Sequence, residues 1–220
     1  MTLPSRATMI ALTSLLCAAA ATAAVVDLAH PDLPTLTGST AEDQFGYAVT
    51  VADLNADGAV DLVVGAPGHA HAETGAHTGA VYVFSGAALD DLSVSGTDLA
   101  LTALDGTWGR GKFGSSLASG DFDGDGAADL AVGAPAAGDG DDVGRGTVSL
   151  YFGGSEWGGA EPDVVLVGVS NGGRFGTELL SHDLDGDGTD ELLVAAPQGG
   201  SDVTPGPGEI FLLDGRAARA

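Results

Sequence analysis

The chain of 220 residues contains one cysteine, Cys17, so no intrachain disulfide can staple it. It is poor in aromatic residues, at 5%, and in basic ones, with only 7 Lys plus Arg. Without a basic patch it has nothing to hold a phosphate backbone, which excludes nucleic acid as a partner. Its apolar runs also fall short of the roughly twenty residues that cross a bilayer. The sequence is instead rich in glycine, 36 residues, and in Asp plus Glu, 31 residues, for a formal charge of -24. With 44% hydrophobic residues it can still bury a core, one built from small side chains and many turns.

Arg6 precedes an apolar stretch from Met9 to Ala24 that closes on Ala21-Thr22-Ala23-Ala24, the pattern of a secretory signal peptide over residues 1–24. The expectation is cleavage near Ala23 or Ala24 and a mature domain over 25–220 with no thiol. An uncleaved anchor would be short for a span, and a lipid on Cys17 is disfavoured by the bulky Leu16 before it. The mature chain is therefore expected to be secreted, extracellular or on the cell surface, or periplasmic in a bacterium, without inserting in the membrane.

One unit recurs three times. Phe45-Gly46, Phe113-Gly114 and Phe175-Gly176 are each followed at the same distance by Asp53, Asp121 and Asp183. They are followed, again at constant spacing, by Gly65-Ala66-Pro67, Gly133-Ala134-Pro135 and Ala195-Ala196-Pro197. Short apolar strands come next: Ala80 to Phe84, Thr147 to Tyr151, and Glu209 to Leu213. Another strand precedes each Phe-Gly, beginning at Asp32-Leu33, Asp98-Leu99 and Asp163-Val164. This sets repeats of about 31–97, 98–162 and 163–214.

From Phe45 to Val51 large residues (Phe45, Tyr47, Val49, Val51) alternate with small ones, and Leu62 to Gly65 is apolar on both faces. That combination predicts sheets stacked face to face. The expected class is all-β: three four-stranded antiparallel sheets arranged as β-propeller-type blades, with a solenoid of sheets as the alternative. Three blades are fewer than the roughly four to eight that close a ring, so an incomplete or open propeller is expected. The segment from Asp32 to Thr37 stands ready to supply an outer strand to the third repeat.

Between the first two strands of each copy lies an acidic nonapeptide. Its candidate metal ligands are Asp53, Asn55, Asp57, Ala59 and Asp61 in the first copy; Asp121, Asp123, Asp125, Ala127 and Asp129 in the second; and Asp183, Asp185, Asp187, Thr189 and Glu191 in the third. Positions 1, 3, 5 and 9 offer side-chain oxygens and position 7 a backbone carbonyl, the hard all-oxygen set that Ca2+ takes. Up to three Ca2+ ions are expected, one per repeat, holding the chain together in place of disulfides. An EF-hand is excluded because Val64, Val132 and Val194 stand where its bidentate glutamate would be. The first loop, with Asn55 for aspartate and Ala56 for glycine, is expected to bind weakest.

Phe-Gly, then Asp-x-(Asp/Asn)-x-Asp-Gly-x-x-(Asp/Glu), then Gly-Ala-Pro resembles the FG-GAP repeat of integrin α-subunit N-terminal β-propellers, over residues from about 31 to 214. The third copy departs from it with Ala195 for glycine, and the family's propeller has seven blades where this chain has three repeats. The resemblance implies a calcium-bound propeller outside the cell that serves adhesion or ligand recognition, the metal supporting structure rather than chemistry.

Other signals carry less. Gly109 to Gly114 spells a dinucleotide fingerprint, and Gly106 to Lys112 nearly a phosphate loop, but neither has its βαβ or strand-helix setting. Asp91, Ser93 and Ser95 resemble a metal-binding motif that needs an α/β context. His69, His71, His77 and Glu73 crowd one loop, where a transition metal such as zinc is the alternative to a polar turn. No nucleophile-His pair recurs near a carboxylate cluster, so no enzymatic activity is expected. The expected function is a secreted calcium-binding adhesion or ligand-binding module, with an extracellular protein or a glycan as its ligand. The alternatives are a structural surface or matrix component that self-associates in calcium to complete the propeller, and a hydrolase or a non-catalytic accessory part of one.

Overall fold

The structure is a computed structural model, and it describes residues 36–38, 40–71, 76–86, 102–106, 111–138, 144–155, 157–158, 161–200 and 206–214. All of these belong to the unit Thr35–Ala220. They form three antiparallel meander sheets and no α-helix; a single 3-10 turn, Ala41–Asp43, precedes the first sheet.

The first sheet is β1 (Ala48–Ala52), β2 (Asp61–Ala66), β3 (Ala80–Phe84) and β4 (Thr102–Asp105), in that order. The second repeats it with β5 (Ser116–Gly120), β6 (Asp129–Ala134), β7 (Thr147–Tyr151) and β8 (Val164–Val167). The third has β9 (Glu178–His182), β10 (Glu191–Ala196) and β11 (Glu209–Leu213). Registers are equivalent from copy to copy: Val49 lies opposite Val64, Leu117 opposite Val132, and Leu179 opposite Val194. The three sheets are therefore blades of one propeller type, as the sequence predicts, and they form no closed barrel.

The structure differs from the sequence reading in three places. The first strand starts at Ala48, because Phe45-Gly46 form a turn; Gly46 has φ 87, and Gly114 and Gly176 match it at φ 83 and φ 84. Such backbone favours glycine. In that turn the N–H groups of Gly46 and Tyr47 both donate to the Gly65 carbonyl, at 3.1 and 3.3 Å. Second, the strand preceding the second and the third Phe-Gly belongs to the sheet before it: β4 pairs with β3 and β8 with β7. Third, among the described residues no strand from the 32–37 segment pairs with β11; Leu36 packs against the first sheet, and residues 32–35 lie outside the described residues.

Each sheet has two faces, and neighbouring sheets meet unlike face to unlike face. Val63, Val81 and Val83 of the first sheet pack on Leu130, Val132 and Tyr151 of the second. Ala131, Val148 and Leu150, on the second sheet's other face, pack on Leu179, Leu192 and Val194 of the third. Burying each such aliphatic side chain stabilises the fold by about 1.5–3 kcal/mol. The innermost strands are stitched by small polar groups: Thr50 Oγ1 lies 3.0 Å from Ser119 Oγ, and the Ser181 hydroxyl donates to the Ser119 carbonyl at 2.6 Å.

Candidate metal centres

The three acidic loops join the first strand to the second in every sheet, so all leave the same end of their sheets. The loops after Pro67, Pro135 and Pro197 leave the opposite end. Within each acidic loop the first aspartate folds the turn by accepting backbone N–H groups. Asp121 Oδ1 accepts from Gly124 at 2.7 Å and Asp125 at 3.1 Å, and its Oδ2 accepts from Gly126 at 2.9 Å. Asp183 makes the same three contacts, with Gly186, Asp187 and Gly188, at 2.7, 3.1 and 3.0 Å. Asp53 makes two, with Asp57 at 3.1 Å and Gly58 at 2.9 Å. The missing contact falls at Ala56, which takes φ 55 where Gly124 and Gly186 take φ 76 and φ 79.

Position 3 also accepts from position 5: Asn55 from the Asp57 N–H, Asp123 from Asp125 and Asp185 from Asp187, at 3.0, 3.0 and 3.1 Å. Asp57, Asp125 and Asp187 in turn accept from the N–H of Ala59, Ala127 and Thr189 at 2.8, 2.8 and 2.9 Å. Position 9 is a buried brace. The Asp129 carboxylate accepts from Phe122 N–H at 2.7 Å and Gly153 N–H at 2.8 Å; Asp61 does likewise with Leu54 and Gly86 at 3.2 and 3.0 Å. Glu191 accepts from Leu184 at 2.7 Å.

In two loops these carboxylates converge. Asp121, Asp123 and Asp129 each place an oxygen within 4.8 Å of the others, and so do Asp183, Asp185 and Glu191. Asp53, Asp57 and Asp61 form no such group, since Asn55 takes the third position. Burial, with Asp123 and Asp121 alongside, pushes Asp129 up to about 6, although the Gly153 and Phe122 N–H groups pull it down. A cation placed among the three would relieve both the desolvation and the mutual repulsion. The donors are all oxygens, so the set fits a hard divalent ion such as Ca2+. Asp57, Asp125 and Asp187 at position 5 lie outside the converging groups.

Asp190 has no place in the sequence reading, yet it ties the second loop to the third. Its carboxylate accepts from Asp121 N–H at 3.0 Å and its own N–H donates to the Asp121 carbonyl at 2.8 Å. The equivalent positions hold Val60 and Ala128, so repeat alignment gives no signal for it. Beside the second loop a cleft of about 470 Å³ is lined by Asp123, Asp125, Tyr151, Phe152, Trp157 and Glu161, among others. The buried Trp157 indole N–H has no acceptor among the described residues.

The histidine loop is differently employed. His69 Nδ1 lies 3.4 Å from Asp43 and 3.2 Å from the Tyr82 hydroxyl, and His77 Nδ1 lies 2.9 Å from the Gly68 carbonyl. Among the described residues these histidines form no metal-holding group; Glu73, Asp91, Ser93 and Ser95 lie outside those residues.

Comparison with known proteins agrees with this architecture. The FG-GAP repeat profile matches residues 45–84, 113–151 and 175–213. The chain is 41% identical over 159 residues to mouse phosphatidylinositol-glycan-specific phospholipase D, covering 70% of this chain and 18% of that protein. It is 36% identical over 173 residues to Xenopus laevis integrin alpha-5 (74% and 16%), and 35% identical over 178 residues to human integrin alpha-IIb (78% and 16%). The chain thus spans less than a fifth of the length of these relatives. Three matched repeats, each coinciding with one blade and its acidic loop, show that the chain belongs to the FG-GAP repeat family.

Proposed function

We propose that this chain is an extracellular, calcium-stabilised recognition module. The observation that carries the reading is the convergence of Asp121, Asp123 and Asp129, and of Asp183, Asp185 and Glu191, into two oxygen-only groups at one end of stacked blades. Occupied by Ca2+, each loop becomes a rigid turn whose first aspartate already holds the backbone in place. The metal neutralises carboxylates that otherwise repel, so binding free energy becomes folding free energy.

The integrin relatives support a role in adhesion or ligand recognition, and integrins and the phospholipase support a location outside the cell. The cleft beside the second loop is the contact site we favour. Its aromatic rings, carboxylates and an indole donor that finds no acceptor among the described residues suit a sugar, with stacking on the rings and hydroxyls meeting the polar atoms. Glycan binding in calcium, measured by calorimetry and lost in Trp157→Phe and Glu161→Gln, is the expected result. Binding unchanged by both substitutions would place the site elsewhere.

A second reading is favoured by one observation, the identity to a phospholipase D confined to the repeat region. On that reading the module accompanies a hydrolase without catalysing. The isolated chain should then cleave no phosphatidylinositol-glycan substrate; turnover by the chain alone would contradict it.

A further inference from the structure

The stack of blades ends in two apolar faces of opposite kind. On the first sheet Tyr47, Val49 and Val51 are mostly exposed, whereas Leu179, the third-sheet counterpart of Val49, is 7% exposed under the second sheet. On the third sheet Leu180 is 61%, Ile210 75% and Leu212 59% exposed. Their second-sheet counterparts Ala118, Val148 and Leu150 are 5%, 0% and 4% exposed. The first face is of the kind that receives a neighbour in the second and third sheets; the second is of the kind that covers one. They are as apolar as the faces that meet inside the molecule, or more so. Thr50 and Ala118 stand where the third copy has Leu180, and Ser119 and Ser181 where the first has Val51.

A third feature points the same way. Leu36 stands nine residues before Phe45, as Leu166 of β8 stands before Phe175. Leu36 packs on the core of the first sheet with Phe45, as Leu166 packs with Phe175. Two residues on, Gly38 crosses Phe45 so closely that an added Cβ would lie 2.5 Å from the Phe45 Cβ; Gly106 and Gly168 cross Phe113 and Phe175 with 2.6 Å each. Leu36–Gly38 therefore occupies the place where the outer strand of a preceding sheet leaves that sheet. Meanwhile β11 has a free outer edge among the described residues, where β3 carries β4 and β7 carries β8.

We propose that two copies of this chain associate head to tail, the Leu180/Leu212 face of one covering the Val49/Val51 face of the other, with the Leu36 segment of the second pairing along β11 of the first. Made twice, the contact closes six blades, within the roughly four to eight of closed propellers. By the register that sets Leu166 opposite Val148, Leu36 of one copy faces Ile210 of its partner. Glu178, where the other copies have Ala48 and Ser116, is the charge this contact must accommodate. The inference does not rest on calcium, although a chain of charge -24 associates more readily once its charge is neutralised or screened.

Light scattering over a concentration series, in calcium and separately in chelator with high salt, should give twice the chain mass. Val49→Asp and Leu180→Asp alter side chains that are already exposed, so melting of the single chain should hold while each weakens the dimer by about thirtyfold or more. Mixing the two variants should recover a dimer, because one contact then joins two unaltered faces; a like-to-like contact would be lost in only one variant. Glu178→Ser should tighten the dimer about tenfold. As an independent measurement, Leu36→Cys and Ile210→Cys on separate chains, each with Cys17→Ser, should form a disulfide-linked heterodimer. A monomer under both conditions, or no crosslink, overturns the proposal, as does an open polymer in place of the closed pair.

Discussion

Asp129→Asn separates the buried brace from the metal ligand. Asp129 is fully buried, and its surroundings push it up to about 6 from 3.8, so at neutral pH holding it ionised costs about 3 kcal/mol without metal. An asparagine removes that cost. It also presents an N–H to Phe122 or Gly153, whose own N–H groups now donate to the carboxylate at 2.7 and 2.8 Å, and leaving one unpaired costs about 1–3 kcal/mol. The two effects oppose, so in chelator the variant should melt within a few degrees of the parent. In calcium they do not cancel: a site filled at about 100 times its Kd contributes about 2.7 kcal/mol, equivalent to about 5–10 °C for a chain this size. Calcium should therefore raise the melting temperature of Asp129→Asn by that much less than the parent's. Scanning calorimetry with calcium and with chelator checks it. Equal calcium-induced rises in the two proteins would refute the assignment of Asp129 as a ligand, and a collapse in chelator alone would make it a brace only.

Other outcomes follow from the same geometry. The first loop should bind calcium more weakly than the others in a site-resolved titration, and Asn55→Asp with Ala56→Gly should bring it level, since φ 55 at Ala56 costs an alanine about 1 kcal/mol. Calcium affinity of the second loop should fall as pH drops below about 6, because protons compete for Asp129. The sign for the metal-free chain is opposite: a raised carboxylate favours folding most below pH 3.8, and that contribution is lost as pH rises through about 6, which denaturant titrations across this range will read. Gly133→Ala should destabilise by about 1–3 kcal/mol in chemical melts, because its Cβ would overlap the Ser116 hydroxyl and the Gly176 carbonyl where two sheets meet.

Much of the fold was legible because each repeat carries chemical punctuation. Phe-Gly marks where each copy begins, although the first strand starts only at Ala48 rather than at Phe45; the nonapeptide marks the hairpin, and Gly-Ala-Pro the end of the second strand. The strands at Ala80–Phe84, Thr147–Tyr151 and Glu209–Leu213 fall where the apolar runs put them. Ownership of the outer strand was not legible. β4 lies only a short way before the second Phe-Gly in sequence, yet the hydrogen bonds it makes belong to the edge of β3, a long-range choice that no local pattern encodes.

Exposure was equally hidden. Val49 and Leu179 read as the same large-face residue, and only the presence of a neighbouring sheet on one of them separates exposed from buried. At the acidic loops the carboxylates that converge were readable, but their division of labour was not. Position 9 braces the loop from below, position 5 lies outside the converging group, and Asp190 enters from a pattern position that is apolar in the other copies.

Calcium binding at the acidic loops is tested by calorimetric titration of the metal-stripped chain with Ca2+, paired with its melting temperature. At least two binding events, and a rise in melting temperature that Asp121→Asn and Asp183→Asn each reduce, are the predicted result. No heat of binding, with the same melting temperature in calcium and chelator, would contradict it.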